Sequence, residues 1–142
     1  MNPLGYYFIP ILSAIFMLCS VKSPKELAAD YFARGYAFLR MGNSRAALKD
    51  FNKAIKINPE YAEAYVKRGA IYSRMRKFKQ AIEDSRKAIE LNPNIAQPFL
   101  TLGLAYEKTG DKNQAKECLI KAAELGDVFA KQYLRELKTK RK

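Results

Sequence analysis

The sequence contains no histidine and no tryptophan, and it has only two cysteines, Cys19 and Cys118. Histidine is the commonest general base and transition-metal ligand, so its absence removes the usual catalytic triads and most metal centres. The chain also lacks a CxxC pair and a glycine-rich phosphate loop. Glu83 and Asp84 are adjacent carboxylates, but they suit a solvated helix face and have no evident partner. The sequence therefore favours a protein with no enzymatic activity, cofactor or metal.

Acidic residues are scarce relative to basic ones. The chain has 26 Lys and Arg against 14 Asp and Glu, for a net charge of +12, and all of them lie in residues 22–142. Such an excess favours acidic protein partners, anionic lipid surfaces or nucleic acid. The alternative is that the charge merely keeps the domain soluble.

Residues 1–22 form an apolar N-terminal segment that precedes a domain over residues 23–142. Residues 4–21, LGYYFIPILSAIFMLCSV, are uncharged and would span roughly 27 Å as a helix, close to the thickness of a bilayer core. Three interpretations compete: a signal peptide, a retained membrane anchor and a buried helix. The buried helix is the weakest, because the run is not amphipathic. A signal peptide normally has basic residues before its apolar run, and here there are none.

The stretch FMLCS faintly resembles a bacterial lipoprotein box, which makes Cys19 a candidate for lipidation, although Leu18 departs from the small residue expected there. The segment predicts membrane association. Lys22 and Lys25 on its C-terminal flank would hold the following domain in the cytoplasm. Export is nevertheless the commoner outcome behind such a leader, and the sequence favours it slightly.

The remainder of the chain repeats itself every 34 residues, in three units over residues 28–61, 62–95 and 96–129. Aromatic residues, glycines, alanines and prolines recur in register. They are Tyr31, Tyr65 and Phe99; Gly35, Gly69 and Gly103; Phe38, Tyr72 and Tyr106; Ala47, Ala81 and Ala115; Ala54, Ala88 and Ala122; and Pro59 with Pro93. A fixed period of this size is the signature of a repeat array.

These units resemble the tetratricopeptide repeat (TPR), a pair of antiparallel helices. The resemblance implies an all-α fold: a right-handed α-solenoid of three TPR helix pairs. The predicted helices cover residues 24–41, 44–57, 60–75, 78–91, 95–109, 112–125 and 127–138. The last follows Gly126, starts at Asp127 as N-cap, and is expected to cap the array with its charged side outward.

Each recurring residue type has a physical role. Glycine inside a helix costs up to about 1 kcal/mol relative to alanine, so it is kept where a neighbouring helix must approach closely. The family often has leucine just before this glycine, and only Leu102 conforms. Arg34 and Arg68 replace it, and we expect their stems to pack while their head groups reach water. Arg76 occupies a turn position that is glycine in the other two units, which predicts a less relaxed turn.

The resemblance also implies a concave groove lined by the first helix of each pair. The groove positions carried over from the family are Phe32, Tyr36, Arg40, Val66, Lys67, Ala70, Arg74, Leu100, Leu104 and Lys108. Such a groove has an apolar floor and a basic edge, which suits a peptide or helix with apolar and acidic residues. The alternative is that Phe32, Val66 and Leu100 are interhelical core and that the basic residues are solvated.

The residues at other family positions narrow the choice of partner. One TPR subclass clamps the C-terminal carboxylate of chaperone tails with lysines and asparagines. Here Phe32, Tyr36 and Thr101 stand where that clamp needs polar or basic groups, and Lys67 alone does not restore it. Nucleic acid is disfavoured, because most aromatic residues occupy repeat-core positions rather than exposed stacking platforms.

The sequence thus predicts a non-enzymatic interaction or scaffold module, tethered at a membrane or exported, that binds a protein segment in its groove. The alternative is a basic domain held electrostatically on anionic lipid or nucleic acid. A third hypothesis is a scaffold subunit that docks on a second copy. The sequence leaves the oligomeric state open.

Overall fold

The computed structural model describes residues 21–139, and every regular element in that range is an α-helix. The bounds predicted from sequence agree with the observed bounds to within one or two residues. The helices are α1 (Pro24–Arg40), α2 (Ser44–Ile57), α3 (Ala62–Arg74), α4 (Phe78–Leu91), α5 (Ala96–Thr109), α6 (Lys112–Glu124) and α7 (Val128–Thr139). None of them combines the length and the apolar character that a membrane span requires. Most of the predicted N-terminal segment, residues 1–20 with the candidate lipidation site Cys19, lies outside the described residues.

Local capping interactions explain where the first and last helices begin. The backbone N–H of Glu26 donates to Ser23 Oγ at 3.2 Å, while the N–H of Ser23 donates to the Glu26 carboxylate at 2.7 Å, which is a complete capping box. At the start of α7 the N–H of Ala130 donates to Asp127 Oδ1 at 2.8 Å. Gly126, just before it, has a positive φ of 98°. Both starts were predicted from the sequence.

The helices stack as an α-solenoid, as the repeat predicted. α1 packs on α2, α3 on α4, and α5 on α6; each second helix also contacts the first helix of the next pair, and α3 contacts α5. Small residues permit the close crossings within a pair. A Cβ on Gly35 would lie 2.9 Å from the Phe51 ring, and one on Gly103 would lie 2.7 Å from Leu119 Cγ. These crossings therefore require glycine, as expected.

Helix α7 continues the repeat by one more helix. Ala130 and Tyr133 lie one period beyond Ala96 and Phe99, and Ala130 is completely buried. Leu137 occupies the glycine position of the period, and its side chain is 41% exposed because no second helix crosses there within the described residues. The Tyr133 hydroxyl donates to the Glu107 carboxylate, and that contact raises the pKa of Tyr133 to about 12. α7 thus takes the place of a fourth first helix and covers the end of the stack.

The arginines before the first two glycines both pair with a buried carboxylate, but only Arg34, with 56% of its side chain exposed, reaches water as predicted. Arg34 donates from Nε and Nη2 to the Asp50 carboxylate at 2.6 and 2.8 Å. Arg68 binds Asp84 in the same way, at 2.8 and 2.7 Å. The Arg68 side chain is only 19% exposed, so the prediction that its head group reaches water is wrong. The prediction that Asp84 has no partner is also wrong.

The tertiary structure explains this pairing, because positions 16 residues apart face each other across the contact between the two helices of a pair. Arg68 Nη1 also donates to Asn52 Oδ1 of the preceding pair at 2.7 Å. Arg68 therefore ties the first two units together. One period further on, the same two positions are Leu102 and Cys118, which pack in the apolar core between the second and third units.

Candidate functional site

The floor of the predicted groove is more buried than its sequence position alone indicated. Val66 and Leu100 are 7% and 8% exposed, and Leu100 packs against Leu119 of α6. Phe32 is half-buried, with its ring centroid 5.6 Å from Phe51 and 4.9 Å from Tyr61. Burial raises the pKa of Tyr61 above its usual range, so its hydroxyl stays neutral. These side chains serve mainly as interhelical core, which was the alternative interpretation.

We call the side of α1, α3 and α5 that carries the predicted groove positions the inner face. Above the floor, side chains of α1 and α3 meet across this face. Lys67 Nζ lies over the Tyr36 ring, 5.3 Å from its centroid, which is a cation–π contact between successive units. Tyr36 remains 41% exposed. Ala70 and Leu104 are half-buried on the same face. The inner face therefore carries an aromatic surface and a small apolar surface.

Three cations lie along one side of this face, and we call them the basic edge: Arg40, Arg74 and Lys108. Each occupies the last turn of a first helix, one period from the next, and each is exposed. None of them forms an ion pair with another residue in the range 21–139. The three charges are therefore available to an anionic partner.

A surface depression of about 350 Å³ lies between the second and third units at the basic edge. We call it the inter-repeat depression, and its lining residues are Ser73, Arg76, Phe78, Leu104 and Lys108. Sequence reasoning placed Leu104 and Lys108 in the groove but missed Ser73, Arg76 and Phe78. The sequence did single out Arg76 in one respect, because it replaces the glycine that the other two units have at this turn position.

The turn that carries Arg76 differs from its two counterparts. Arg76 has a positive φ of 60°, at the position where Gly42 and Gly110 have φ values of 77° and 97°. This confirms that the turn is less relaxed, since a left-handed conformation costs a residue with a side chain roughly 1–2 kcal/mol. The following N-cap residue, Lys77, makes no side-chain capping bond, whereas Asn43 and Asp111 cap α2 and α6 at the equivalent position.

The exposed face of α2 carries a second group of cations, which we call the basic stripe: Arg45, Lys49, Lys53 and Lys56. All four side chains are exposed and follow one another at spacings of three or four residues. Lys53 Nζ lies 5.0 Å from the centroid of the Tyr31 ring. The acidic residue of this helix, Asp50, is committed to Arg34. The stripe is therefore a uniformly positive helix face.

Two further observations bear on the chemistry available. Across residues 21–139, no three His, Cys, Asp or Glu side chains come close enough to hold a metal ion. Thr101, one of the positions compared with the chaperone-tail clamp, is 4% exposed and donates to the carbonyl of Gln97 at 3.0 Å. Its hydroxyl is already engaged within its own helix.

Three protein-family models match the chain. The model described as "TPR repeat" matches residues 35–75, and two models described as "Tetratricopeptide repeat" match residues 62–95 and 96–125. Together they cover residues 35–125 without a gap. No curated protein sequence matches the chain.

Several solved structures are similar to it. A crystal structure of MamA protein is 34% identical with a TM-score of 0.64, over 69% of this chain and 54% of that one, so the chain spans little more than half of it. The Arabidopsis OM64 TPR domain is 24% identical with a TM-score of 0.77, covering 82% of this chain and 98% of the domain. The second TPR of Spaghetti (RPAP3), bound to the HSP90 peptide SRMEEVD, is 24% identical with a TM-score of 0.70, covering 72% of this chain and 90% of that one.

Proposed function

The chain belongs to the tetratricopeptide repeat family, and on that premise we propose that it is a non-enzymatic interaction module that holds a segment of another protein. The segment lies along the inner face of α1, α3 and α5. It is a peptide or helix with apolar side chains for the half-buried surface and acidic side chains for the basic edge. Peptide binding by similar folds supports this proposal, because one such structure holds an HSP90 peptide.

The observation that carries the proposal is the basic edge. Arg40, Arg74 and Lys108 repeat at one position of three successive first helices, next to Tyr36 and Leu104. Such a row of unpaired cations beside apolar surface matches an acidic, amphipathic segment better than a neutral one. Apolar burial would provide affinity, and the charges would add steering and specificity.

A purely structural explanation competes with this one. Cations in the last turn of a helix interact favourably with the helix dipole, by about 0.3–1 kcal/mol. Lys56 of α2 and Lys121 of α6 occupy the same kind of position on second helices, away from the inner face. These two residues provide a control for net charge and helical position. Lys121 also pairs with Glu124 at 3.3 Å, but an exposed pair of this kind contributes little to stability.

The test uses the full chain and a displayed library of random peptides as the probe. The wild-type protein is expected to enrich peptides that alternate acidic and apolar residues. Arg40→Glu with Arg74→Glu is expected to abolish capture of these peptides while circular dichroism shows unchanged helicity. Lys56→Glu with Lys121→Glu is expected to retain capture. Equal capture by wild type and the well-folded Arg40/Arg74 variant would refute the proposal.

We also propose that the protein is membrane-associated through residues 1–22, with export of the repeat domain slightly favoured over a cytoplasmic location. The sequence of that segment is the support, and export or retention is decided by whether it is cleaved, lipidated or intact. Mass determination of the mature protein purified from its native membrane distinguishes the three forms. A mature protein that starts after the segment and carries no lipid would refute anchoring.

The basic stripe favours a second candidate function, retention on an anionic surface. Four exposed cations on one helix face, with no free carboxylate among them, suit anionic lipid headgroups, which attract basic segments by about 1 kcal/mol per residue. This function predicts that binding to vesicles rich in phosphatidylglycerol falls steeply with added salt and is lost in Lys49→Glu with Lys53→Glu. Retention on nucleic acid instead would appear as the same salt dependence with duplex DNA alone. Salt-independent binding would exclude both.

A further inference from the structure

We propose that the inter-repeat depression is an anion subsite of the groove, in which Arg76 and Lys108 bind one acidic side chain of the partner segment. The inference rests on the proposed function and names its specificity-determining residue. Arg76 lies in the turn between α3 and α4, outside the first-helix positions from which groove residues are normally read. The subsite is therefore a feature of this chain rather than of the repeat.

The composition of the depression supports this assignment. Of its five lining residues, two are cationic, Arg76 and Lys108, and none is acidic. Neither cation forms an ion pair with another described residue. Leu104 and Phe78 add apolar surface, and Ser73 adds a hydroxyl. The depression, of about 350 Å³, is open to solvent, so it offers a shallow contact for a side chain rather than an enclosed pocket.

The backbone of the turn provides independent support. Arg76 holds a left-handed conformation at a position where the other two units have glycine, and Lys77 replaces a capping residue. Both replacements sacrifice local stability, but only the Arg76 side chain lines the depression. Strained residues of this kind concentrate at binding sites. A Cβ on the equivalent Gly42 or Gly110 would meet nothing within 4 Å, so the fold of those two units requires no side chain at this position.

The partner group that fits is a carboxylate of aspartate or glutamate, because guanidinium binds carboxylates with two parallel hydrogen bonds and ammonium adds a point charge. The adjoining residue of the partner would be apolar and would rest on Leu104 and Phe78. The subsite thus specifies an acidic residue next to an apolar one at the junction of the second and third units.

The experiment compares three variants of the full chain on an acidic peptide enriched from the library by wild type. Arg76→Gly is expected to weaken binding about tenfold, the usual scale of one charge-assisted hydrogen-bonded pair. Arg76→Lys is expected to keep most of the affinity. Lys77→Asn removes the same charge one residue away and restores a cap, and it is expected to bind as wild type does.

A double-mutant cycle locates the contact. Replacing one acidic peptide residue by its amide should weaken binding to wild type about tenfold and weaken binding to Arg76→Gly clearly less, because only Lys108 then remains to bind the carboxylate. The subsite is overturned if Arg76→Gly binds as wild type does, if Lys77→Asn loses as much, or if no peptide position is coupled to Arg76. If the subsite fails while Arg40→Glu with Arg74→Glu still abolishes capture, the proposed function stands. A library that yields no acidic peptide overturns both.

Discussion

Arg68 and Asp84 form a two-bond ion pair across the second helix pair, and the equivalent positions one period later are Leu102 and Cys118. The same contact is thus built from opposite charges in two units and from apolar side chains in the third. Two kinds of contact between the helices of a pair can therefore be compared within one protein. The ionic version adds a bond from Arg68 to Asn52, which reaches the neighbouring unit.

This relationship predicts strong coupling between the two positions. Arg68→Leu alone leaves the Asp84 carboxylate nearly buried without a partner and is expected to lower the free energy of unfolding by about 2 kcal/mol. Combining it with Asp84→Cys copies the third unit and should recover most of that loss, because a buried ion pair is often replaceable by apolar residues. Urea unfolding of both single variants and the double variant measures the coupling. Additive losses would contradict it.

The strained turn at Arg76 predicts that replacing this arginine by glycine stabilises the fold. Arg76→Gly is expected to raise the free energy of unfolding by about 1 kcal/mol, because glycine adopts the left-handed conformation without a steric penalty. Gly42→Arg makes the opposite change at the equivalent position, where a side chain meets open space, and should lower stability by a similar amount. Thermal unfolding measures both. A destabilising Arg76→Gly would mean that its side chain is needed for folding.

Ionisation of Asp50 predicts a pH dependence of stability. Hydrogen bonds from the Arg34 guanidinium hold the pKa of Asp50 below its usual range. A carboxylate with a depressed pKa stabilises the fold fully above the unfolded-state value, roughly 3.9, and loses that effect as the pH falls through the lower folded value. The melting temperature of Asp50→Asn should therefore lie below that of wild type at pH 7, and the gap should close below about pH 4. A gap that persists in acid would rule out ionisation as its source.

The helix crossings predict that a glycine-to-alanine substitution changes the free energy of unfolding by different amounts at different crossings. A Cβ at Gly103 would lie 2.7 Å from Cγ of Leu119, which is 2% exposed, so Gly103→Ala is expected to destabilise by roughly 1–3 kcal/mol. At Gly69 the nearest atom is Asp84 Cβ at 3.2 Å. Gly69→Ala should be close to neutral, because the gain in helix propensity of about 1 kcal/mol offsets the crowding. Equal losses in urea unfolding would contradict this ranking.

Most of the fold was predictable because its signals are local. Ser23 with Glu26, Asp127 after Gly126, and the proline after each of the first two pairs act through neighbouring residues, and they placed the helix ends within one or two residues. The candidate site was less predictable. Arg40, Arg74 and Lys108 are exposed as expected, but Val66 and Leu100 are buried. A groove position and a core position share the same helix and differ only in which neighbour covers them.

The amino-acid sequence by itself determined the period, the seven helices of residues 21–139, the cost of the turn at Arg76 and the positions of the cations. These properties follow from capping, backbone conformation and helical spacing, which act within a few residues. Only the tertiary structure decided that Arg68 meets Asp84 and Asn52, and that Arg76 and Lys108 line one depression. Such contacts join residues at least 16 positions apart, so they depend on how the helices cross and stack.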